Sequence, residues 1–194
     1  MTAPRRLAGT VAASLVLALP AVPAAAQEVT EHDGRGDMIR VEEGGSDPQA
    51  APTAEIGDVV RTTFRHDAAR VVVRTRLAAL ERAGRRFTVW VDVQDGARHS
   101  WFVGVQATRR DRGGRTIVMD DRGRDLPCTA AHRIDYAGDT VQVSLPRRCL
   151  GDPARLRFRL LTEHVRASWE HAWLDNGLAP SMDDRHWTDW LAAG

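Results

Sequence analysis

The sequence predicts an all-β domain: an antiparallel two-sheet sandwich, jelly-roll-like or a flattened barrel, followed by a short helical or irregular Trp-rich tail. Three observations carry that expectation. Apolar residues alternate with period two from Asp58 to Thr162, as in half-buried strands. Gly, Asp and Pro punctuate the alternation into about eight short runs in roughly 105 residues. No run of strand, long helix and strand appears, so a parallel sheet is excluded.

Residues 1–26 read as a secretory signal. Arg5 and Arg6 form a charged start, Leu7 to Val22 an apolar run broken by Gly9, Thr10 and Pro20, and Ala24 to Ala26 a small-residue cleavage site before Gln27. Every acid lies after Ala26. Cleavage therefore turns 27 basic and 26 acidic residues into 25 and 26, a mature charge of −1. A near-neutral secreted chain has no bulk electrostatic reason to seek nucleic acid, and no membrane span is expected after cleavage. All the Lys and Arg positions are arginine, as GC-rich codon usage favours.

Residues 27–57 are polar and rich in Gly, Asp, Glu and Pro, which predicts a disordered leader. Arg35-Gly36-Asp37 within it has the form of an adhesion tripeptide that three common residues make by chance. The sandwich is expected over residues 58–162. A hairpin about Asp67–Arg70 sets Phe64 against Val73 and Thr62 against Thr75. A second, with a three-residue loop near Asp95-Gly96, sets Val91 against Trp101, Val89 against Val103 and Phe87 against Val105. Leu77–Arg85 is short and arginine-rich and suits a connection between strands. Around Gly138-Asp139 a two-residue turn sets Tyr136 against Val141, Ile134 against Val143 and His132 against Leu145. The same register brings Cys128 opposite Cys149, and two cysteines in an exported chain are most simply a structural disulfide. Arg155 to Leu160 puts Leu156, Phe158 and Leu160 on one face and the arginines on the other.

The tail, residues 163–194, holds Trp169, Trp173, Trp187 and Trp190. Glu163–Asp175 is expected to form one or two helical turns with Trp169 and Trp173 on one face. Exposed indoles stack on sugar rings, and Asp183, Asp184 and His186 lie close enough in sequence to bond hydroxyls. These seven residues are the candidate ligand surface, set against burial of the indoles as edge cover.

Other chemistry finds little support. No serine sits in a nucleophile elbow, and Glu163-His164 and Glu170-His171 do not have the spacing of a zinc helix. Asp92, Asp95, Asp120 and Asp121 match no calcium loop and read as turn-formers. No catalytic residue, metal or cofactor is assigned. The stripe Arg155, Arg157 and Arg159, with Arg74 and Arg76, has the chemistry to grip an anionic envelope polymer, and equally suits a solvated face balanced by aspartates.

The run Asp58 to His66 with Val71–Leu80, then Ser144 to Pro153 as S-x-P-x-x-C-L-G-x-P, resembles a group of small, uncharacterised exported proteins of high-GC bacteria. The resemblance covers about Asp58 to Leu161. It implies a β-sandwich with Cys128 paired to Cys149 and brings no activity. The architecture is also similar, at the level of fold, to extracellular carbohydrate-binding modules. The expected function is a non-enzymatic secreted protein binding an extracellular or envelope ligand, a glycan being one possibility. The alternatives are an exported hydrolase with a carboxylate pair at one sandwich end and an inhibitor or interaction domain for another exported protein.

Overall fold

The computed structural model describes residues 26–42, 47–166, 171–182 and 186–194. The signal read at residues 1–26 falls, but for Ala26, outside them. The described residues form two antiparallel sheets packed face to face, with no α-helix. One sheet, A, runs β1 (Gln27–His32), β4 (Val59–His66), β5 (Arg70–Leu77), β10 (Thr140–Pro146), β9 (Ala131–Asp135). The other, B, runs β3 (Gln49–Ala50), β2 (Ile39–Glu42), β12 (His171–Asn176), β11 (Arg155–Val165), β6 (Arg86–Asp95), β7 (Ser100–Thr108), β8 (Arg115–Asp120), and a short β13 (Leu191–Ala192) also pairs with β11.

The alternation is realised as anticipated. Leu156, Phe158 and Leu160 are buried while their arginine neighbours face outward. Phe158 stacks on Phe64 of the opposite sheet with ring centroids 5.1 Å apart, which places the centre of the core between β4 and β11. Phe64 faces Val73 and Thr62 faces Thr75, as the first hairpin required. Cys128 and Cys149 are joined as a disulfide.

Two hairpins keep their faces but not their register. Val91 pairs with Val103 and Val89 with Val105, and in the other hairpin Val141 pairs with Ile134 and Val143 with His132. Each is displaced by two residues from expectation, a step that leaves every side chain on its own face because the period is two. Longer loops explain it. The Asp95 carboxylate accepts the N–H groups of Ala97 and His99, with Arg98 left-handed, so the first connection spans Asp95 to His99. Asp135 accepts the Gly138 N–H and left-handed Asp139 completes the second. Aspartate-capped turns displace the tight ones.

Two further expectations are overturned. The segment 27–57, expected to be disordered, supplies the edge of each sheet: β1 pairs with β4, and β3 pairs with β2, which pairs with β12. Backbone pairing orders it where its side chains bring little apolar surface. Val29 alone of β1 packs on the core, and Met38, in the crossing between sheets, is 1% exposed. The tail's expected helical turns are strand instead, β11 running on to Val165 and β12 starting at His171. The alternation continues there through polar residues, with Thr162 and His164 buried and Glu163 reaching out to Arg86 at 2.6 Å.

Candidate functional site

Of the described C-terminal candidates, Trp187 and Trp190 come together and Trp173 lies apart from them. Trp169, Asp183 and Asp184 lie outside the described residues. Trp187 and Trp190 sit over the outer arginines of β11: Arg157 stacks on both indoles, Arg155 on Trp190 and Arg159 on Trp187. Trp173, opposite His164 on β11, stacks under Arg166. His164 is seven residues beyond Arg157, about 23 Å along an extended strand. His186 is exposed. The returning tail acts as an edge. Thr188 receives the Phe158 N–H and gives its own N–H to the Phe158 carbonyl, and Leu191 is buried beside Leu156. Trp190, 37% exposed, keeps part of its ring in solvent.

The expected arginine stripe divides likewise. Arg74 and Arg76 belong to β5 in sheet A, and Arg155, Arg157 and Arg159 to β11 in sheet B. In the β11 set Arg159 pairs with Asp92, Arg157 donates to the Gln94 amide oxygen and Arg155 stacks on Trp190. Asp95 and Asp120 bind the N–H groups of their own turns, as turn-forming aspartates do.

A stronger concentration of cations lines a cleft at the end of the sandwich where β11 finishes. Its walls are the β5–β6 connection, the β7–β8 turn and the residue after β11. Arg85, Arg86, Arg109, Arg110, Arg112 and Arg166 line it, with Glu81 the one carboxylate among the described lining residues. Local chemistry fixes these walls. In the β7–β8 turn Asp111 accepts the Gly114 N–H and exchanges backbone bonds with Thr108. The Arg109 N–H then reaches the Arg85 carbonyl, and the Arg112 guanidinium donates to the carbonyls of Ala83 and Gly84. Tyr136 donates its hydroxyl to the Arg112 carbonyl while Arg82 stacks on its ring.

His164 also lines this cleft and is 2% exposed, yet its Nε2 has no hydrogen-bond partner. Gly84 makes the room: it is left-handed (φ +80°), and a Cβ there would stand 2.5 Å from that nitrogen. Burial first, then the charges of Arg166 and Arg112, hold the imidazole pKa down to about 4. At neutral pH the ring is uncharged and presents one ring N–H donor. An anion in this cleft would find guanidinium forks suited to bidentate bonding with carboxylate, sulfate or phosphate.

Metal-ligating groups gather elsewhere, where Asp33, Asp37 and Asp175 converge beneath the β1–β2 crossing. Arg35-Gly36-Asp37 is part of that crossing. The Gly36 N–H is bound to Asp58 and the Asp37 carboxylate oxygens are sealed from solvent, so the tripeptide is not displayed for adhesion.

Sequence reasoning missed both clusters. The cleft arginines come from three separated stretches, and only Arg109-Arg110-Asp-Arg112 stands out as a local run. Compared with known proteins, the chain matches no family model and no curated protein. Among the described residues no helix is long and apolar enough to cross a membrane, and the paired cysteines are compatible with an extracellular setting.

Proposed function

We propose that this protein is a secreted, non-enzymatic β-sandwich module that holds an anionic glycan of the cell envelope or its surroundings in the arginine-lined cleft. The observation that carries the reading is the gathering of six arginines, one of them (Arg86) already paired with Glu163, around a buried imidazole whose Nε2 has no partner. Arg109 and Arg110 are exposed and have no ion pair among the described residues, so they remain available to a ligand. The cleft is open, and open basic grooves suit polymers better than small enclosed ligands. Sulfate, phosphate or uronate groups along a glycan would each take one guanidinium.

Retention on immobilised polygalacturonate, against neutral dextran, tests this. The expected result is retention on the uronate polymer alone, eluting with salt because surface charges are screened. Arg109→Gln with Arg110→Gln should weaken it about tenfold, equivalent to roughly 1.4 kcal/mol. Ligand binding should also raise the His164 pKa, read from its imidazole proton resonances. Equal retention of the variant, or none by the native protein, rejects the reading.

A second reading rests on Trp190, whose ring is partly in solvent. There a neutral sugar would stack on the indole. Loss of retention in Trp190→Ala, with the double arginine variant unaffected, would favour it.

A further inference from the structure

The chain crosses from sheet A to sheet B between β1 and β2. That crossing carries Asp33 and Asp37 against Asp175 of β12 and Asp58, the residue before β4. We propose that Asp33, Asp37 and Asp175, with Asp58 beside them, form a calcium site that pins the N-terminal segment to both sheets.

The distances suit the ion. One carboxylate oxygen from each of Asp33, Asp37 and Asp175 lies within 4.8 Å of the others. Oxygens bound to calcium at 2.3–2.6 Å can stand no more than about 5 Å apart. The second observation is the state of the buried oxygens. Asp58 is 2% exposed, and while its Oδ2 accepts the Gly36 N–H at 3.0 Å, its Oδ1 is sealed from solvent with no partner. The Gly36 N–H that it accepts belongs to the residue before Asp37, so the Asp58 carboxylate adjoins the group. Asp33 Oδ2 and both oxygens of Asp37 are likewise sealed and unpartnered. Buried acceptors left without partners cost about 1–3 kcal/mol each, and more when charged. Among the described residues these sealed oxygens have no donor.

Protein N–H groups satisfy only the periphery. Val59 donates to Asp175 Oδ2 at 2.6 Å and Gly34 to Asp33 Oδ1 at 2.9 Å. Arg35 eases the charge on Asp58. Burial first, then the neighbouring carboxylates, push Asp175 up to about 8; burial and Asp37 push Asp33 to about 7. A divalent cation relieves the same repulsion by supplying positive charge.

The donors identify the ion. All are hard oxygens, whereas zinc favours imidazole or thiolate, and magnesium demands a smaller octahedron that retains waters. The crossing is held in shape around the carboxylates. Asp33 N–H reaches the Val60 carbonyl, Ala51 N–H reaches that of Met38, and left-handed Gly36 passes so close to Pro52 that a Cβ would lie 2.9 Å from its carbonyl oxygen. Such constraint reduces the ordering that binding must impose.

Calorimetric titration of the EDTA-stripped, full exported chain with calcium chloride tests the site, with thermal unfolding alongside. One calcium per chain and a midpoint raised by several degrees are expected. Asp37→Asn, in the partly exposed crossing, should weaken affinity at least tenfold, as should Asp58→Asn. Asp121→Asn, an exposed turn acid, should leave it unchanged. Should Asp58→Asn fail to fold, Asp37→Asn still decides. The proposal is overturned by absence of saturable heat, by binding that Asp37→Asn leaves intact, or by preference for zinc or magnesium. Polymer retention is no part of this readout, so the cleft and the calcium site succeed or fail separately.

Discussion

Two clusters of like charge lie close together along β11 and solve the same problem in opposite ways. The acid group meets the strand at Thr162, which pairs with Asp175, and the arginine cleft takes in His164 two residues further on. Among the arginines, repulsion is weakened by water: Arg85, Arg109, Arg110 and Arg166 are exposed, and solvent screens them within about 10 Å. Among the carboxylates water is largely absent, since Asp58 and Asp175 are 2% and 1% exposed. There the repulsion must be met by protons or by a cation. Under the proposals made above, exposure leaves the first cluster open to a ligand, and burial makes the second depend on protons or a cation. A near-neutral net charge conceals both.

The largest expected effect falls on the buried cluster. In saturating calcium, Asp175→Ala should lower the unfolding free energy by about 3–5 kcal/mol, the cost of breaking a buried charge pair. In EDTA the same substitution should cost far less or stabilise, because it removes one of the crowded carboxylates. Urea denaturation in the two buffers measures the contrast. An equal loss in both would mean that Asp175 acts only by accepting the Val59 N–H.

A smaller effect separates the clusters by pH. The folded His164 pKa, about 4, lies below the ordinary 6.5. As pH falls below 6.5 the unfolded chain takes up a proton that the folded chain refuses until about pH 4. His164 therefore subtracts stability progressively across that window, by on the order of 3 kcal/mol, and no further below it. The buried carboxylates act in the opposite sense: their raised pKa values favour the cation-free fold at low pH and disfavour it as pH rises toward 8. Comparing native protein with His164→Asn cancels the carboxylate contribution. The stability difference between them should change between pH 6.5 and 4 and stay level above 7.

How much of this was legible in the sequence follows from the kind of force at work. Apolar alternation is a local signal, so β11 and the inward faces of β5 to β7 were readable, and even the displaced hairpins kept their faces. Loop length was not, because Asp95 and Asp135 reorganise their turns through side-chain bonds that a two- or three-residue template does not include. The N-terminal strands were hidden for another reason. β1 is Gln-Glu-Val-Thr-Glu-His, nearly all polar, and is ordered by its ladder to β4, a partner more than thirty residues away. The acid site depends on that ordering. Asp33 and Asp37 read as part of a disordered leader and Asp175 as the end of helical turns, so nothing local joined them to Asp58. The tight Asp33-Gly34-Arg35-Gly36-Asp37 spacing was the available hint, since glycines between acids let a backbone turn their carboxylates inward.

The smallest expected effect sharpens the exposed side of the comparison. Arg109 and Arg110 lie on a turn held by the Asp111 carboxylate and backbone bonds, not by their own side chains. Removing both charges should change folding stability by no more than about 0.5 kcal/mol, as surface substitutions usually do, and easing the like-charge repulsion should make the change a gain. The same double variant is expected to lose about tenfold in retention on a polyanionic glycan. A cluster kept for stability would lose both properties together, whereas one kept for a ligand loses only the second. If urea denaturation shows Arg109→Gln with Arg110→Gln destabilised by more than 1 kcal/mol, the cleft arginines serve the fold, and the distinction between exposed and buried charge drawn from this molecule fails on its exposed side.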